Sequence, residues 1–159
     1  VDDIDTQSNL ISWQKNISYV PQKIYLTDDT IKNNIAFGKP ENEINYQLIK
    51  KVLKISELDD FVENLPMGIN TEVGERGVRI SGGQLQRIGI ARAFYSMPKI
   101  LILDESTNAL DIETEDKIME CIFNQKDVKT LIIISHRENT IKKCNKIFEM
   151  KNGLLIKNE

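Results

Sequence analysis

Cysteine and histidine are scarce in this sequence, which has two cysteines and one histidine among 159 residues. Cys121 and Cys144 stand far apart and form no CxxC spacing, so neither a metal-binding pair nor a disulfide is indicated. We expect two free thiols, as is usual in a reducing compartment.

Long hydrophobic runs and an excess of positive charge are also absent. The strongest apolar runs, 100–103 and 131–134, are far shorter than the ~20 residues that a membrane helix needs. The acidic start, residues 1–5, does not have the pattern of a signal peptide. The net charge is −3, which gives no electrostatic reason to expect nucleic-acid binding. We expect a soluble segment that reaches any membrane through residues other than these.

The spacing of apolar residues predicts an α/β protein. Strands are predicted over 16–20, 99–104, 129–135, 145–150 and 154–157, and helices over 30–35, 46–54, 58–65, 82–94 and 113–123. The strands at 99–104 and 129–135 are apolar throughout, which is typical of strands buried on both faces. Such strands alternating with helices favour a parallel sheet covered on both sides.

Two adjacent carboxylates follow the apolar run 100–103. Ligands of open α/β sheets bind at the carboxyl ends of strands, so Asp104 and Glu105 are candidate site residues. Asp104 is suited to hold Mg²⁺, usually through water, and Glu105 to orient or deprotonate a water that attacks a phosphate. The simpler interpretation is a helix cap or a turn.

Three further positions are weaker candidates when each is taken alone. Ser81 opens a helix with Gly82 and Gly83, whose N–H groups can approach an anion, although an ordinary N-cap would look the same. His136 follows an apolar strand, and a histidine there can contact a terminal phosphate or be purely structural. Gln22 ends another strand and by itself is only a polar turn residue.

The order and spacing of these segments resemble the ATP-binding domain of ABC proteins. The matching segments are Tyr19-Val20-Pro21-Gln22 (Q-loop), Arg79-Ile80-Ser81-Gly82-Gly83-Gln84 (signature), Ile100 to Glu105 (Walker B with its glutamate), Ser106-Thr107-Asn108-Ala109-Leu110-Asp111 (D-loop) and Ile134-Ser135-His136-Arg137 (switch histidine). The resemblance runs through nearly the whole chain. It implies a P-loop NTPase (RecA-like) parallel-sheet core, 1–22 and 95–159, with an inserted α-helical subdomain, 23–94.

Two segments are similar to ABC exporters in particular. Residues 71–77 resemble the loop that contacts the intracellular ends of exporter membrane helices, and residues 27–38 resemble the exporter segment after the Q-loop. The resemblance therefore implies a transmembrane domain as partner and a place on the cytoplasmic face of a membrane. It also implies export or flipping of a lipid-like or apolar substrate.

The resemblance also implies roles for single residues, with ATP and Mg²⁺ as cofactors. Two domains would form a head-to-tail dimer in which the signature of one contacts the γ-phosphate bound by the other. Glu105 and His136 would be catalytic, and Asp104 and Gln22 would serve Mg²⁺. The nucleotide-binding positions would be Gln22, Ser81, Gly82, Gly83, Gln84 and Asp111.

Three departures from the family pattern occur. Ile80 replaces the usual Leu, and Ser106-Thr107-Asn108 replaces Ala-Thr-Ser; both changes are mild. No Gly-rich loop ending in Gly-Lys-Ser/Thr occurs in the sequence. We expect a domain whose N-terminal core part is missing and whose isolated chain is inactive. Because that loop follows a central strand in the family, we also expect unpaired strand edges, exposed apolar faces and poor solubility.

Two alternatives remain. One is a non-catalytic fragment that presents only the signature surface to a partner. The other is a soluble ABC-type ATPase that acts in DNA repair or translation, which the exporter-like loop at 71–77, the acidic balance and the short helical insert disfavour.

Overall fold

The computed structural model describes residues 5–75 and 77–158, so Arg76 of the exporter-like loop lies outside the described residues. The strands are β1 (Ile17–Val20), β2 (Asp29–Thr30), β3 (Glu72–Val73), β4 (Ile100–Asp104), β5 (Thr130–Ile134), β6 (Ile147–Lys151) and β7 (Leu154–Asn158). The helices are α1 (Leu10–Gln14), α2 (Ile31–Ile35), α3 (Tyr46–Ile55), α4 (Asp59–Glu63), α5 (Gly82–Tyr95), α6 (Ile112–Phe123) and α7 (Glu138–Ile141).

Most of the predicted elements are confirmed within a few residues, but two short helices and the two-residue strands β2 and β3 were missed. The missed helices are α1 and α7, of five and four residues, too short to show a helical period in the sequence. The two C-terminal strands pair antiparallel as a hairpin around Gly153, whose φ of +77° suits glycine. No helix among the described residues is long and apolar enough to cross a membrane.

Strands β1, β4 and β5 form a three-stranded parallel sheet in the order β1-β4-β5. Ile17 pairs with Ile100, and Leu101 pairs with Leu131. The parallel sheet predicted from the apolar strands is thus confirmed. Its consequence for the site is that the segments after Val20, Asp104 and Ile134 all leave the sheet at the same edge.

The two faces of this sheet have different surroundings. On one face Val20, Leu101 and Leu103 are buried in the main hydrophobic core. On the other face Ile132 and Ile134 are 46% and 48% exposed. The prediction that 129–135 is buried on both faces is wrong for the described part of the chain, because an apolar run does not reveal what covers it. The exposed apolar face predicted from the family resemblance is confirmed.

We expect the 159-residue chain to self-associate through this open face at micromolar concentration, because contiguous exposed apolar surface favours contact between copies. Sedimentation velocity of the chain against Ile132→Lys measures the effect, and the variant should be more monomeric. Met67→Lys is the control, since Met67 is 66% exposed in a different part of the fold. A wild-type chain that stays monomeric would contradict the prediction.

The helical segments pack around α5, which contacts α2, α3 and β1. Ile88, Ile90 and Ala91 on this helix are fully buried. The chain thus has a core that runs without a break from the parallel sheet into the helical part. Helix α5 is thus one rigid element, with Ser81 at its N-terminal end and β4 following its C-terminal end.

The two exporter-like segments, 27–38 and the described residues 71–75, lie together in the structure. Strand β2 pairs antiparallel with β3, and the N–H of Ile31 donates to the carbonyl of Thr71 at 3.0 Å. Asp28 Oδ1 accepts the N–H of Glu75 at 2.7 Å. Gly74 sits at φ +108° against the Asp28 backbone, where a side chain would be strained. The segments that the sequence identified separately therefore form a single unit.

Hydrogen bonds between Asn34 and Arg92 connect this unit to α5. The Asn34 side chain is fully buried, accepts the N–H of Thr27 at 3.0 Å and donates to the carbonyls of Thr27 and Thr30, each at 3.1 Å. Arg92 on α5 donates through Nε to the Asn34 carbonyl at 2.7 Å and through Nη2 to Asn34 Oδ1 at 3.1 Å. The guanidinium also lies over the Phe37 ring, 5.1 Å from its centroid.

We expect Asn34→Ala to lower the free energy of unfolding by about 2 kcal/mol, because it leaves buried donors and carbonyls without partners. Urea unfolding of the chain followed by circular dichroism measures this loss. Asn33→Ala is the matched control: Asn33 Nδ2 makes one bond, to Asp29 Oδ1 at 2.8 Å. Equal losses in the two variants would show that the buried network has no special weight.

Candidate functional site

Three of the predicted site residues meet at the carboxyl edge of the parallel sheet. Gln22 follows β1, Glu105 follows β4 and His136 follows β5. Gln22 Nε2 donates to Glu105 Oε2 at 2.6 Å, and His136 Nε2 lies 3.1 Å from Glu105 Oε1. The two oxygens of one carboxylate are thus held by side chains from the neighbouring strands on either side.

Glu105 has an unusual backbone conformation. Its φ is +46°, in the left-handed region that non-glycine residues seldom occupy, and its N–H donates to the carbonyl of Ile134 at 2.9 Å. This bond continues the β4–β5 pairing by one residue while the chain turns. Backbone strain of this kind concentrates at functional sites, where the surrounding structure maintains it.

The carboxylate of Asp104 lies beside that of Glu105 in sequence but has different partners. Tyr19 on β1 donates its hydroxyl to Asp104 Oδ2 at 2.6 Å. That hydrogen bond raises the pKa of Tyr19 above its ordinary value. Asp104 is therefore held from the open face of the sheet, while Glu105 is held at its edge.

The signature residues begin α5 at the protein surface. Ser81 and Gln84 form a capping box: Ser81 Oγ accepts the N–H of Gln84 at 3.2 Å, and Gln84 Oε1 accepts the N–H of Ser81 at 2.9 Å. The predicted nucleotide ligands Ser81 and Gln84 therefore bond to each other in this chain. Ser81 and Gly82 are exposed, which leaves the helix N-terminus open to an anion.

The signature glycines lie against the D-loop of the same chain. A Cβ on Gly83 would lie 3.2 Å from the carbonyl oxygen of Ala109, and one on Gly82 would lie 3.5 Å from the Ala109 Cβ. Gln86 Oε1 accepts the N–H of Ala109 at 2.8 Å. The glycine at position 83 permits this close approach, so the signature and the D-loop form one continuous surface.

An open groove of about 290 Å³ separates the Gln22 loop from the start of α5. Its lining residues are Gln22, Lys23, Ile24, Tyr25, Gly82, Leu85, Gln86 and Ala109. The groove brings residues after the Q-loop, the signature and the D-loop to the same part of the surface.

Asp111, predicted to bind the nucleotide, is the N-cap of α6. Its Oδ1 accepts the N–H of Thr114 at 2.9 Å. This hydrogen bond is the main reason that the pKa of Asp111 lies below its ordinary value, and the nearby positive charge of Arg87 adds to the shift. The position therefore has a structural use within the chain, and its contact with nucleotide stays a prediction.

Sequence reasoning missed three residues that shape this site. Asn108 Nδ2 donates to Glu105 Oε2 at 2.9 Å, and Arg137 is paired with Glu115 of α6. Asn108 and Arg137 lay within recognised motifs but carried no assigned role. Glu115 carried a signal in its spacing, since it shares the buried face of α6 with Ile118, Met119 and Ile122. A charged residue on an apolar face indicates a buried partner.

Comparison with known proteins shows what these motifs belong to. The family model described as ABC transporter matches residues 1–108. The chain belongs to the ABC transporter family. The fold is therefore the P-loop NTPase type of ABC proteins, and the resemblance to their exporter-type ATP-binding domains is confirmed.

Individual relatives are large proteins of which this chain matches a part. The chain is 43% identical over 145 residues to multidrug export ATP-binding/permease proteins of Staphylococcus aureus strains bovine RF122 / ET3-1 and NCTC 8325 / PS 47, a match covering 91% of this chain and 25% of theirs. A solved bacterial Atm1-family ABC exporter with ATP bound superimposes with a TM-score of 0.83 at 37% identity, covering 91% of this chain and 25% of that one. The chain spans about a quarter of the length of these relatives.

Proposed function

We propose that these residues form the water-activating and signature part of an ATPase domain that powers an ABC exporter. The observation that carries the proposal is the convergence of Gln22, Glu105 and His136 at one edge of the sheet. Within the chain we assign 1–22 and 95–159 to the RecA-like core and 23–94 to the helical subdomain.

In the proposed reaction, Glu105 accepts the proton of the water that attacks the γ-phosphate of ATP. His136 and Gln22 hold the carboxylate from opposite sides, and His136 is exposed enough to reach the phosphate. Bond cleavage is favoured by groups that position the water rather than by covalent chemistry. The orientation of Glu105 is therefore the main contribution of this chain.

We assign the Mg²⁺ position to Asp104 with Gln22. A single carboxylate with an amide oxygen is a small set of protein ligands. It suits Mg²⁺, which keeps several waters and is completed by nucleotide phosphates. The Tyr19 hydroxyl fixes one oxygen of Asp104 and leaves the other available. When bound, the ion would neutralise the charge that develops on the phosphates.

A head-to-tail dimer accounts for the exposed start of α5. The Ser81 and Gly82 end of this helix offers N–H groups and a positive dipole end to an anion. Its own side chains bond within the capping box and not to Glu105. We assign the ATP that it contacts to a second ATP-binding domain, with a phosphate loop supplied by residues other than these 159.

The exporter-like unit formed by 27–38 and 71–75 is the surface that we assign to a transmembrane domain, on the cytoplasmic side of the membrane. Tyr25, at the rim of the groove beside Gln22, is 77% exposed and is available for such contact. Movement of Gln22 on loss of phosphate would be passed along the chain to Tyr25, whose carbonyl accepts a hydrogen bond from Arg92 Nη1 at 3.2 Å, and from Arg92 to Asn34 in this unit. Because the relatives are named for multidrug export, we propose lipid-like or apolar cargo.

The test uses a chimera in which residues 1–159 replace the matching quarter of the Staphylococcus aureus relative, so that the phosphate loop and membrane domain come from that protein. We expect the purified chimera to hydrolyse Mg-ATP, and the 159-residue chain alone to be silent by phosphate release and by calorimetric titration. An inactive chimera beside an active parent would favour a non-catalytic fragment. Turnover by the short chain alone would show that our account of the site is wrong.

A further inference from the structure

Arg137, which directly follows His136, contacts two other parts of the chain. Its Nη2 donates to the carbonyls of Asn108 at 3.1 Å and Leu110 at 3.0 Å, both in the D-loop. Its Nη1 is paired with the carboxylate of Glu115 on α6. One guanidinium therefore joins the loop that carries His136 to the D-loop and to the helix behind it.

Glu115 is buried, with 4% of its surface exposed, and both of its carboxylate oxygens have partners. Oε1 accepts the hydroxyl of Thr107 at 2.8 Å and that of Thr140 at 3.0 Å, and Oε2 pairs with Arg137. A buried ion pair is weak evidence for stability, since apolar residues of similar volume often serve as well. The Arg137–Glu115 pair is better explained by the positions in which it holds the D-loop and the loop that carries His136.

Glu105, His136, Arg137 and Asn108 form a closed ring of contacts. His136 holds Oε1 of Glu105 at 3.1 Å, and Asn108 holds Oε2 at 2.9 Å. His136 is adjacent to Arg137 in sequence, and the Asn108 carbonyl accepts a hydrogen bond from Arg137. Two of the three side chains that contact the Glu105 carboxylate therefore lie on loops that the Arg137 side chain connects directly.

We propose that Arg137, held in place by Glu115, is a positioning residue that fixes the distance between His136 and Asn108 and so orients the Glu105 carboxylate toward the attacking water. The proposal rests on the proposed function and adds a residue to it. Arginine suits the task because its planar group presents several donors at fixed angles, which reach two carbonyls and a carboxylate at once. A lysine reaches them only as a single point charge.

The test compares Arg137→Gln with unsubstituted chimera. We expect kcat for ATP hydrolysis to fall about tenfold to a hundredfold, because small displacements of a catalytic group have effects of this size. KM for ATP should stay within about twofold, because the residue does not touch the nucleotide. Arg137→Lys should restore part of kcat, since it keeps the charge opposite Glu115.

Lys143→Gln is the matched control. Lys143 pairs with Asp116 of α6 at 2.9 Å and so joins the same region to the same helix, but the two side chains are 42% and 48% exposed and neither has a hydrogen bond or ion pair with the D-loop among the described residues. We expect no change in kcat from this variant. Asn108→Ala combined with Arg137→Gln should cost less than the product of the single effects, since both act through Glu105.

Different outcomes contradict the positioning role of Arg137 and the proposed ATPase function. A chimera without Glu105-dependent hydrolysis would overturn both. An active chimera in which Arg137→Gln loses thermal stability but keeps kcat, measured well below its melting temperature, would overturn the inference alone, and so would independent effects in the double variant. If Arg137→Gln does not fold, Arg137→Lys decides: unchanged kcat with it counts against the inference, and a reduced kcat at constant KM supports it.

Discussion

Replacing Glu105 by glutamine in the chimera is expected to lower kcat for ATP hydrolysis about a thousandfold while ATP still binds. A positioned general base contributes 10²–10⁴-fold, and the amide has lost that capacity. The amide also places an N–H₂ group either toward Gln22 Nε2 and Asn108 Nδ2, where donor faces donor, or toward His136 Nε2, which accepts it only when the neutral ring carries its proton on Nδ1. Phosphate release and the binding of a fluorescent ATP analogue measure the two quantities separately.

Glu138→Gln is the control for that experiment. Glu138 is an exposed carboxylate two residues beyond His136, paired only with Lys142 at 3.1 Å among the described ion pairs. Its removal should leave kcat unchanged. Residual hydrolysis above about a tenth of the unsubstituted rate in Glu105→Gln would mean that another group activates the water.

Placing an acid at the signature, as Gly82→Asp, is the second large expected effect. Kcat should fall about a hundredfold or more, because the new carboxylate would face the phosphate that we assign to this helix end. Two like charges 4 Å apart repel by about 4 kcal/mol at a protein surface. The folded state should not suffer, since a negative charge at a helix N-terminus is favourable and a Cβ here meets Ala109 at an ordinary 3.5 Å.

Gly82→Ala separates charge from size in this experiment. The alanine fills the same space without the carboxylate, and we expect hydrolysis within about threefold of the unsubstituted chimera. Melting temperatures of the three proteins give the stability comparison. If Asp and Ala reduce hydrolysis equally, the helix end does not face a phosphate and the head-to-tail arrangement loses its main support.

The residues of the candidate site were easier to predict from the sequence than the contacts between them. Asp104 and Glu105 were found because a strongly apolar strand ends in two carboxylates, and the parallel sheet then brought Gln22 and His136 to the same edge. The Glu105 contact with Asn108 could not be predicted, because it depends on the left-handed turn after β4.

For helix-capping residues, the position could be predicted from the sequence but the function could not. Ser81 and Asp111 were each recognised as site candidates with a helix cap as the alternative for the Ser81 position, and in the structure both are N-caps. The same N–H groups that need a cap also attract an anion. The two uses therefore look the same in the local sequence, because both depend on the free N–H groups of the first helical turn.

By itself, the sequence determined the five longer strands, the longer helices, the Ser81 cap and the order of the motifs, because apolar period and capping chemistry act over a few neighbouring residues. Only the tertiary structure decided that 27–38 and 71–75 form one unit, that Arg92 reaches Asn34, and that Arg137 joins the D-loop to Glu115. It also decided that one face of β5 is open. These features depend on which distant surfaces meet, and no local pattern of residues records that.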